Sequence, residues 1–193
     1  SSELYGEVIY TLTDVAAVDS GLITPVRLQF LQLRNDEDAV ALMTHPHKSI
    51  KSSFEQHVAA LQESSGDLAA SLLVTCDGID EIDAFVRSAD AQSLIDAGVT
   101  LFAVGSREGY ADGVVNGIAA PSRELWFKQL RAKLDNPNEQ VIVLHHAILS
   151  EGVDASGFTG VLPLRSLGLI EFCQTVGRAR RLDKDDRAKF RSG

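Results

Sequence analysis

Several features that define other protein classes are missing from this sequence of 193 residues. No apolar run approaches the ~20 residues that a membrane-spanning helix needs, and no basic-then-apolar start of the signal-peptide kind is present. The two cysteines, Cys76 and Cys173, lie far apart in apolar runs and lack CxxC spacing. That spacing argues against structural zinc and favours buried, reduced thiols. The sequence therefore predicts a cytoplasmic globular protein with neither a membrane segment nor a bound metal.

Two nucleotide-binding signatures are also missing. The chain contains no GxxxxGK[ST] loop and no acidic run of the DExH kind. In P-loop NTPases the loop surrounds the phosphates, and an acidic residue helps to hold Mg²⁺. We therefore expect no ATP hydrolysis from this chain alone.

The negative charge of the chain is unevenly distributed. The formal net charge is −9, yet residues 174–193 hold seven Lys/Arg against three Asp. Residues 1–173 consequently carry −13. Such asymmetry indicates a basic working edge on an acidic body, although an acidic surface also serves solubility alone. The overall charge argues against strong non-specific binding of a nucleic-acid duplex by this domain alone.

Three short apolar runs predict strands that are covered on both faces. They occupy positions 70–76, 99–104 and 140–144, and segments with helical spacing lie between them. One of these segments begins at Pro121-Ser122 and carries Trp126, which we predict to be a core residue rather than a base-stacking platform. The alternation of strands and helices predicts right-handed βαβ units and a mainly parallel sheet.

Three local predictions concern loops and helix ends. The segment 35–51, with His45 and His47, is predicted to be a loop rather than a metal site, since neither histidine has a further ligand at suitable spacing. Ser52-x-x-Glu55 is predicted to be a capping box that opens a helix. A helix is also predicted over 167–176, after a strand at 160–164.

Two polar motifs follow the last of these apolar runs, and together they resemble a known family. Ser150-Glu151-Gly152-Val153-Asp154 is similar to motif V of superfamily II helicases. Gln174-x-x-Gly177-Arg178-x-x-Arg181, which begins 20 residues after Asp154, is similar to motif VI. The restriction-enzyme and DNA-repair branch is the nearest in character. The resemblance implies an α/β fold: a RecA-like three-layer domain over 35–193, the second of two motor domains, with the strand 70–76 at the place of motif IV.

Residues 1–34 resemble the connector that joins the two motor domains in the restriction-type branch. An ordinary N-terminal hairpin is the alternative interpretation. The residues that approximate the connector phrase are Tyr10, Leu12, Ala16, Gly21, Leu22 and Pro25.

The resemblance implies catalytic roles for Arg178, Arg181 and Gln174. The two arginines would be arginine fingers for the γ-phosphate of a nucleotide, and Gln174 would orient the water or the phosphate chain. A surface salt-bridge cluster with aspartates downstream is the alternative for the arginines, and a helix-surface amide is the alternative for Gln174. The cofactor contacts implied by the resemblance are Gly152, Asp154 and Gly177.

Contacts with a nucleic acid are predicted at Ser150, whose hydroxyl and backbone N–H suit a phosphate. Thr75 and Arg107 are weaker candidates, because a structural threonine and a solvated arginine explain them equally well. His145-His146 departs from the family pattern, in which many relatives carry Thr or Asp at this place.

The function implied by the resemblance is that of the C-terminal half of an ATP-dependent helicase or translocase. ATP and Mg²⁺ would be bound mainly by a first RecA-like domain, and DNA would be the nucleic-acid partner, with RNA not excluded. A non-enzymatic α/β binding or regulatory module that retains the fold is the alternative function.

Overall fold

The computed structural model describes six parts of the chain. It contains a mixed α/β arrangement in which helices pack against a mostly parallel sheet. The described residues are 16–17, 40, 42–65, 69–146, 157–168 and 175–177.

Helices and strands are interspersed along the described chain. The helices are α1 (Ile50–Ser65), α2 (Ile79–Val86), α3 (Ala89–Asp96) and α4 (Arg123–Leu134), and a 3₁₀ turn, Pro46–Ser49, precedes α1. The strands are β1 (Ser71–Thr75), β2 (Thr100–Val104), β3 (Val114–Val115), β4 (Ile118–Ala119), β5 (Val141–His145) and β6 (Gly160–Pro163).

The sheet has the strand order β4-β3-β2-β5-β1-β6 among the described residues. The four strands β2, β5, β1 and β6 are mutually parallel, and β3 and β4 add an antiparallel hairpin at one edge. β5 lies between β1 and β2, which follow one another in the chain. The predicted βαβ connections and the mainly parallel sheet are therefore confirmed.

Alternate side chains of the buried strands pack on opposite faces, as the twofold period of a strand requires. Leu72 and Val74 lie in a cluster with Phe54, Ile82 and other side chains from α1, α2 and α3. Leu73 lies in a second cluster with Trp126 and Leu130 of α4. Because both faces of the sheet are covered, the fold has three layers, and the continuous apolar runs in the sequence are explained.

Serine side chains fix the starts of two helices at the positions where the sequence predicts helical segments. The Ser88 hydroxyl accepts a hydrogen bond from Ala91 N (3.1 Å), and the Ser122 hydroxyl accepts one from Leu125 N (3.3 Å). Each bond satisfies one of the N–H groups that a helix start leaves without a partner. Trp126, one turn into α4, is fully buried, so its predicted core position is confirmed.

The β3–β4 hairpin was not predicted, although the sequence contains a signal for it. Asn116 and Gly117 both have positive φ, 49° and 80°, the backbone that Asn-Gly turns between antiparallel strands adopt. Asn116 also extends the hydrogen bonding between β3 and β2 by one residue. Its backbone N–H donates to Leu101 O (2.8 Å), and its side-chain Oδ1 accepts from Leu101 N (2.7 Å). The apolar residues on either side of Asn-Gly could have revealed this turn.

Two predicted helix starts are wrong. α1 begins at Ile50, directly after the 3₁₀ turn, so Ser52 is not its cap; the Ser52 hydroxyl donates instead to Ser49 O (3.0 Å). The proline at position 46 starts this turn, where a missing N–H costs nothing, and part of the predicted loop is therefore helical. Leu167 and Gly168 lie outside any helix, whereas Thr175–Gly177 is helical.

In the described part of the chain, no helix is long and apolar enough to cross a membrane.

Candidate functional site

The carboxyl ends of the four parallel strands form one edge of the sheet. Val104, His145, Thr75 and Pro163 lie in line across β2, β5, β1 and β6. Beyond this row the described chain continues in the loops that follow β1 and β2. Ligands of open parallel sheets bind at such an edge, and the predicted nucleic-acid residues Thr75 and Arg107 both belong to it.

A buried polar pair joins the ends of β1 and β5. The Thr75 hydroxyl lies 3.1 Å from His145 Nε2, and the two residues are 1% and 3% exposed. Cys76 N also donates to His145 O (2.9 Å). The Thr75 side chain therefore faces the interior and a neighbouring strand, and its contact with a nucleic acid stays a prediction.

The next residue, His146, is held by a backbone carbonyl. Its Nδ1 lies 3.2 Å from Cys76 O. Because a carbonyl only accepts hydrogen bonds, Nδ1 is the donor of this bond. The half-buried imidazole is thus fixed in orientation four positions before Ser150.

Arg107 lies in a loop, residues 105–113, that is folded tightly on itself. Gly105 N donates to Tyr110 O (3.1 Å), and Tyr110 N donates to Arg107 O (3.0 Å). A Cβ at Gly105 would lie 1.8 Å from Ile79 Cδ1, so the loop approaches α2 closely at this glycine, and a larger residue would force the Ile79 side chain to move. Loop and helix are packed as one unit at the sheet edge.

Tyr110 fastens this loop to α2. Its ring is 7% exposed, and its hydroxyl donates to Asp83 Oδ1 (2.9 Å). The same oxygen accepts from Arg87 Nε (3.0 Å). Burial, with the hydrogen bond to Asp83 as a second cause, raises the pKa of Tyr110 to about 12. Tyr110 therefore stays a neutral donor at any physiological pH.

The Arg107 guanidinium forms an ion pair with Asp80, in the first turn of α2. The Arg107 side chain is 49% exposed, and that of Asp80 is 93% exposed. Both charges consequently remain accessible to solvent and to a ligand.

Cys76 directly follows β1, and Glu81 lies in the first turn of α2. Cys76 is fully buried and free, as predicted from the sequence, and burial, reinforced by the nearby Glu81, raises the pKa of its thiol. A thiol in this state is a poor nucleophile. Glu81 Oε2 accepts from Asp77 N (2.8 Å), Glu81 Oε1 is buried without a hydrogen-bond partner, and burial raises the pKa of the carboxyl.

Comparison of the chain with models of protein families, with curated proteins and with solved structures gives no match. The resemblance to motor domains therefore depends on the motifs quoted above.

The structure describes three of the predicted site residues, and two of them, Thr75 and Arg107, lie at the carboxyl edge. The third, Gly177, is helical, and a Cβ added there would meet nothing within 4 Å. Among the described residues, no group of three or more His, Cys, Asp or Glu side chains could hold a metal ion. The predicted site residues that lie outside the described parts are Ser150, Gly152, Asp154, Gln174, Arg178 and Arg181.

Sequence reasoning missed the polar partners of the edge. Asp80, Asp83 and Tyr110 belong to no recognisable motif, and only the packing of α2 against the 105–113 loop brings them together. The sequence did single out His145-His146, because this pair departs from the pattern of the family that the chain resembles.

Proposed function

We propose that this chain is the second motor domain of a nucleic-acid-dependent ATPase of the superfamily II helicase and translocase type. The observation that supports this best is the order of the sheet. β5, which leads into Ser150–Asp154, is a buried central strand beside β1, and β6, the strand between the two motifs, is parallel to β1 on its other side. A RecA-like domain requires a parallel three-layer arrangement of this kind.

Arg178 and Arg181 would stabilise charge that develops during phosphoryl transfer. The guanidinium group is permanently charged and presents a planar fork of donors that matches phosphate oxygens in pairs. Arginine fingers of this type are often supplied from outside the domain that binds the nucleotide. Gln174 would orient the attacking water or the phosphate chain.

ATP and Mg²⁺ would be bound mainly by a first motor domain. This chain has no phosphate-binding lysine loop, and its described residues offer no acidic cluster for a metal. Gly152, Asp154 and Gly177 would complete the nucleotide site from this side, which makes the site a shared one.

The nucleic acid would lie along the carboxyl edge. Arg107 is exposed there, and Ser150 follows β5 by five positions. Phosphate contacts of this kind position a strand without reading its bases. DNA is the proposed partner, and RNA suits the same contacts.

The test is nucleic-acid-stimulated ATP hydrolysis by the complete protein with Arg178→Ala or Arg181→Ala. A finger meets additional negative charge only as the terminal phosphoryl bond breaks, so its loss raises the transition-state energy more than the ground-state energy. We expect kcat to fall by about 10³-fold, as for other arginine fingers, while the affinity for nucleic acid changes little.

Arg180→Ala is the matched control, since it removes the same charge one step away from the motif pattern. Arg178→Lys keeps the charge but loses the paired donors, and we expect little recovery of kcat. If all three alanine variants lose activity equally and only a few-fold, and high salt has the same effect, the arginines are a solvated basic edge. The alternative function, a non-enzymatic module, would then be favoured.

A further inference from the structure

The 105–113 loop holds the backbone of one arginine, Arg107, in place at the carboxyl edge. Tyr110 is buried below the loop and bonded to Asp83, and the tip residues 106–109 are exposed. The backbone bond from Tyr110 N to Arg107 O closes the turn that carries the arginine. Little conformational freedom therefore has to be lost when a ligand contacts this loop.

The Arg107 side chain already forms an ion pair within the protein, with the carboxylate of Asp80. Asp80 is 93% exposed, so its carboxylate makes no contribution to the core. A carboxylate in the first turn of α2 gains modestly from the helix dipole, and an ion pair between two exposed side chains is weak. A phosphate could consequently replace Asp80 on Arg107 at small cost.

We propose that Asp80 competes with the phosphates of the nucleic acid for Arg107, and so limits the affinity of this edge for a phosphodiester backbone. This inference rests on the proposed function, because it names a regulator of the proposed nucleic-acid track. When a strand binds, its phosphate takes the place of the Asp80 carboxylate, and Asp80 is released to solvent.

The charge around Arg107 explains why such competition has a measurable effect. Asp77, Glu81 and Asp83 lie on or beside α2, and Glu108 adjoins Arg107. Arg107 thus lies beside several carboxylates, one of which, Asp83, is already paired with Arg87. A nucleic-acid strand that reaches Arg107 must approach these carboxylates, which repel its phosphates. Asp80 has the largest influence on this repulsion, because it is the ion-pair partner of Arg107 and Coulomb energy rises as the distance falls.

The experiment measures binding of a fluorescein-labelled single-stranded oligonucleotide to the complete protein by anisotropy at low and at high salt. Asp80→Asn should lower Kd by about two- to fivefold at low salt, the range that an exposed ion pair supports. Glu108→Gln is the matched control, because it removes one exposed negative charge that has no ion-pair partner among the described residues. Its effect on Kd should be clearly smaller.

The same two changes are then made in an Arg107→Ala background. The advantage of Asp80→Asn over Glu108→Gln should disappear there, because the group for which Asp80 competes is gone. Equal effects of the two changes with Arg107 present, or an advantage that persists without Arg107, would overturn the proposal.

The proposed function is judged separately, by the loss of ATP hydrolysis in Arg178→Ala. Competition at Arg107 can therefore fail while the motor function stands. A wild-type protein that binds no oligonucleotide at either salt concentration would overturn both proposals.

Discussion

At the scale of single residues, Trp126 organises one face of the sheet. Its indole N–H donates to Val114 O (3.1 Å), and its ring meets Phe102 and Phe127 edge to face, at centroid distances of 5.6 and 4.9 Å. These contacts satisfy the one polar atom of a fully buried side chain and place its ring against the start of the β3–β4 hairpin. Gly113 lies directly on the ring, since a Cβ there would be 2.2 Å from Trp126 Cδ1.

We predict that Gly113→Ala lowers the free energy of unfolding substantially. Gly113 has φ +87°, and a side chain in this region costs about 1–2 kcal/mol. Forcing a methyl group into the Trp126 ring should add about 1–3 kcal/mol. Urea unfolding followed by circular dichroism measures the sum.

Gly117→Ala isolates the backbone contribution. Gly117 has a similar φ of +80°, and a Cβ there would meet nothing within 4 Å. This variant should lose only the backbone share, about 1–2 kcal/mol. Equal losses in the two variants would show that contact with Trp126 does not require a glycine.

At the scale of elements, a polar cluster ties α1 to the amino ends of β1 and β6. His57 Nε2 lies 2.8 Å from Thr159 Oγ1, and Ser71 N donates to the same oxygen (2.9 Å). The Ser71 hydroxyl in turn donates to Gly157 O (2.5 Å). Gly160 leaves room for the imidazole, since a Cβ there would be 2.8 Å from its Cε1 and Nε2 atoms. Helix and strands are thus joined by hydrogen bonds as well as by apolar packing.

Acidic pH should weaken the polar cluster around His57 and so lower the stability of the fold. Burial lowers the pKa of His57 below its usual value of 6.5, because the charged ring loses hydration. The unfolded chain therefore binds a proton more readily than the folded one. The stability contributed by neutral His57 is complete above pH 6.5 and is lost as the pH falls through the lowered pKa of the folded state.

Urea unfolding of wild type and His57→Gln at a series of pH values between neutral and mildly acid tests this. Glutamine retains an N–H donor for Thr159 but does not titrate in this range. The variant should lose less stability on acidification than the wild type. Identical pH profiles of the two proteins would contradict the prediction.

The parts of the fold that could be predicted are those with a strong local signal. β1, β2 and β5 are continuous apolar runs, which only a sheet covered on both faces can bury. The start of α1 was misplaced because Ser52 and Glu55 match a capping box, whereas the preceding proline had already started a helical turn at position 46. The hairpin was missed because its two-residue strands show no periodicity, and the Asn116-Gly117 turn signal between them was overlooked.

At the scale of the whole molecule, some residues of the candidate site can be predicted from the sequence, and others are recognised only in the folded structure. Arg178 and Arg181 could be proposed from the sequence because their motif lies in one short stretch of chain, and their roles stay a prediction because both lie outside the described residues. Asp80, Asp83 and Tyr110 could not be found, since loop and helix are 27 positions apart and only the crossover from β1 to β2 places them together. The resulting edge is acidic near α2, while the basic residues are concentrated after position 173.

That division of charge and motifs leads to the last prediction, on this chain by itself. A nucleotide site needs a loop that surrounds the phosphates, a ligand for Mg²⁺ and a group that stabilises the transition state. This sequence has candidates for the third but no GxxxxGK[ST] loop. The purified chain should show no ATP hydrolysis with or without a single-stranded oligonucleotide, and calorimetry should detect no micromolar binding of Mg-ATP. Turnover that follows the protein through purification, or micromolar affinity that survives Arg178→Ala, would mean that the chain holds a complete site of another kind, and the shared-site proposal would be wrong.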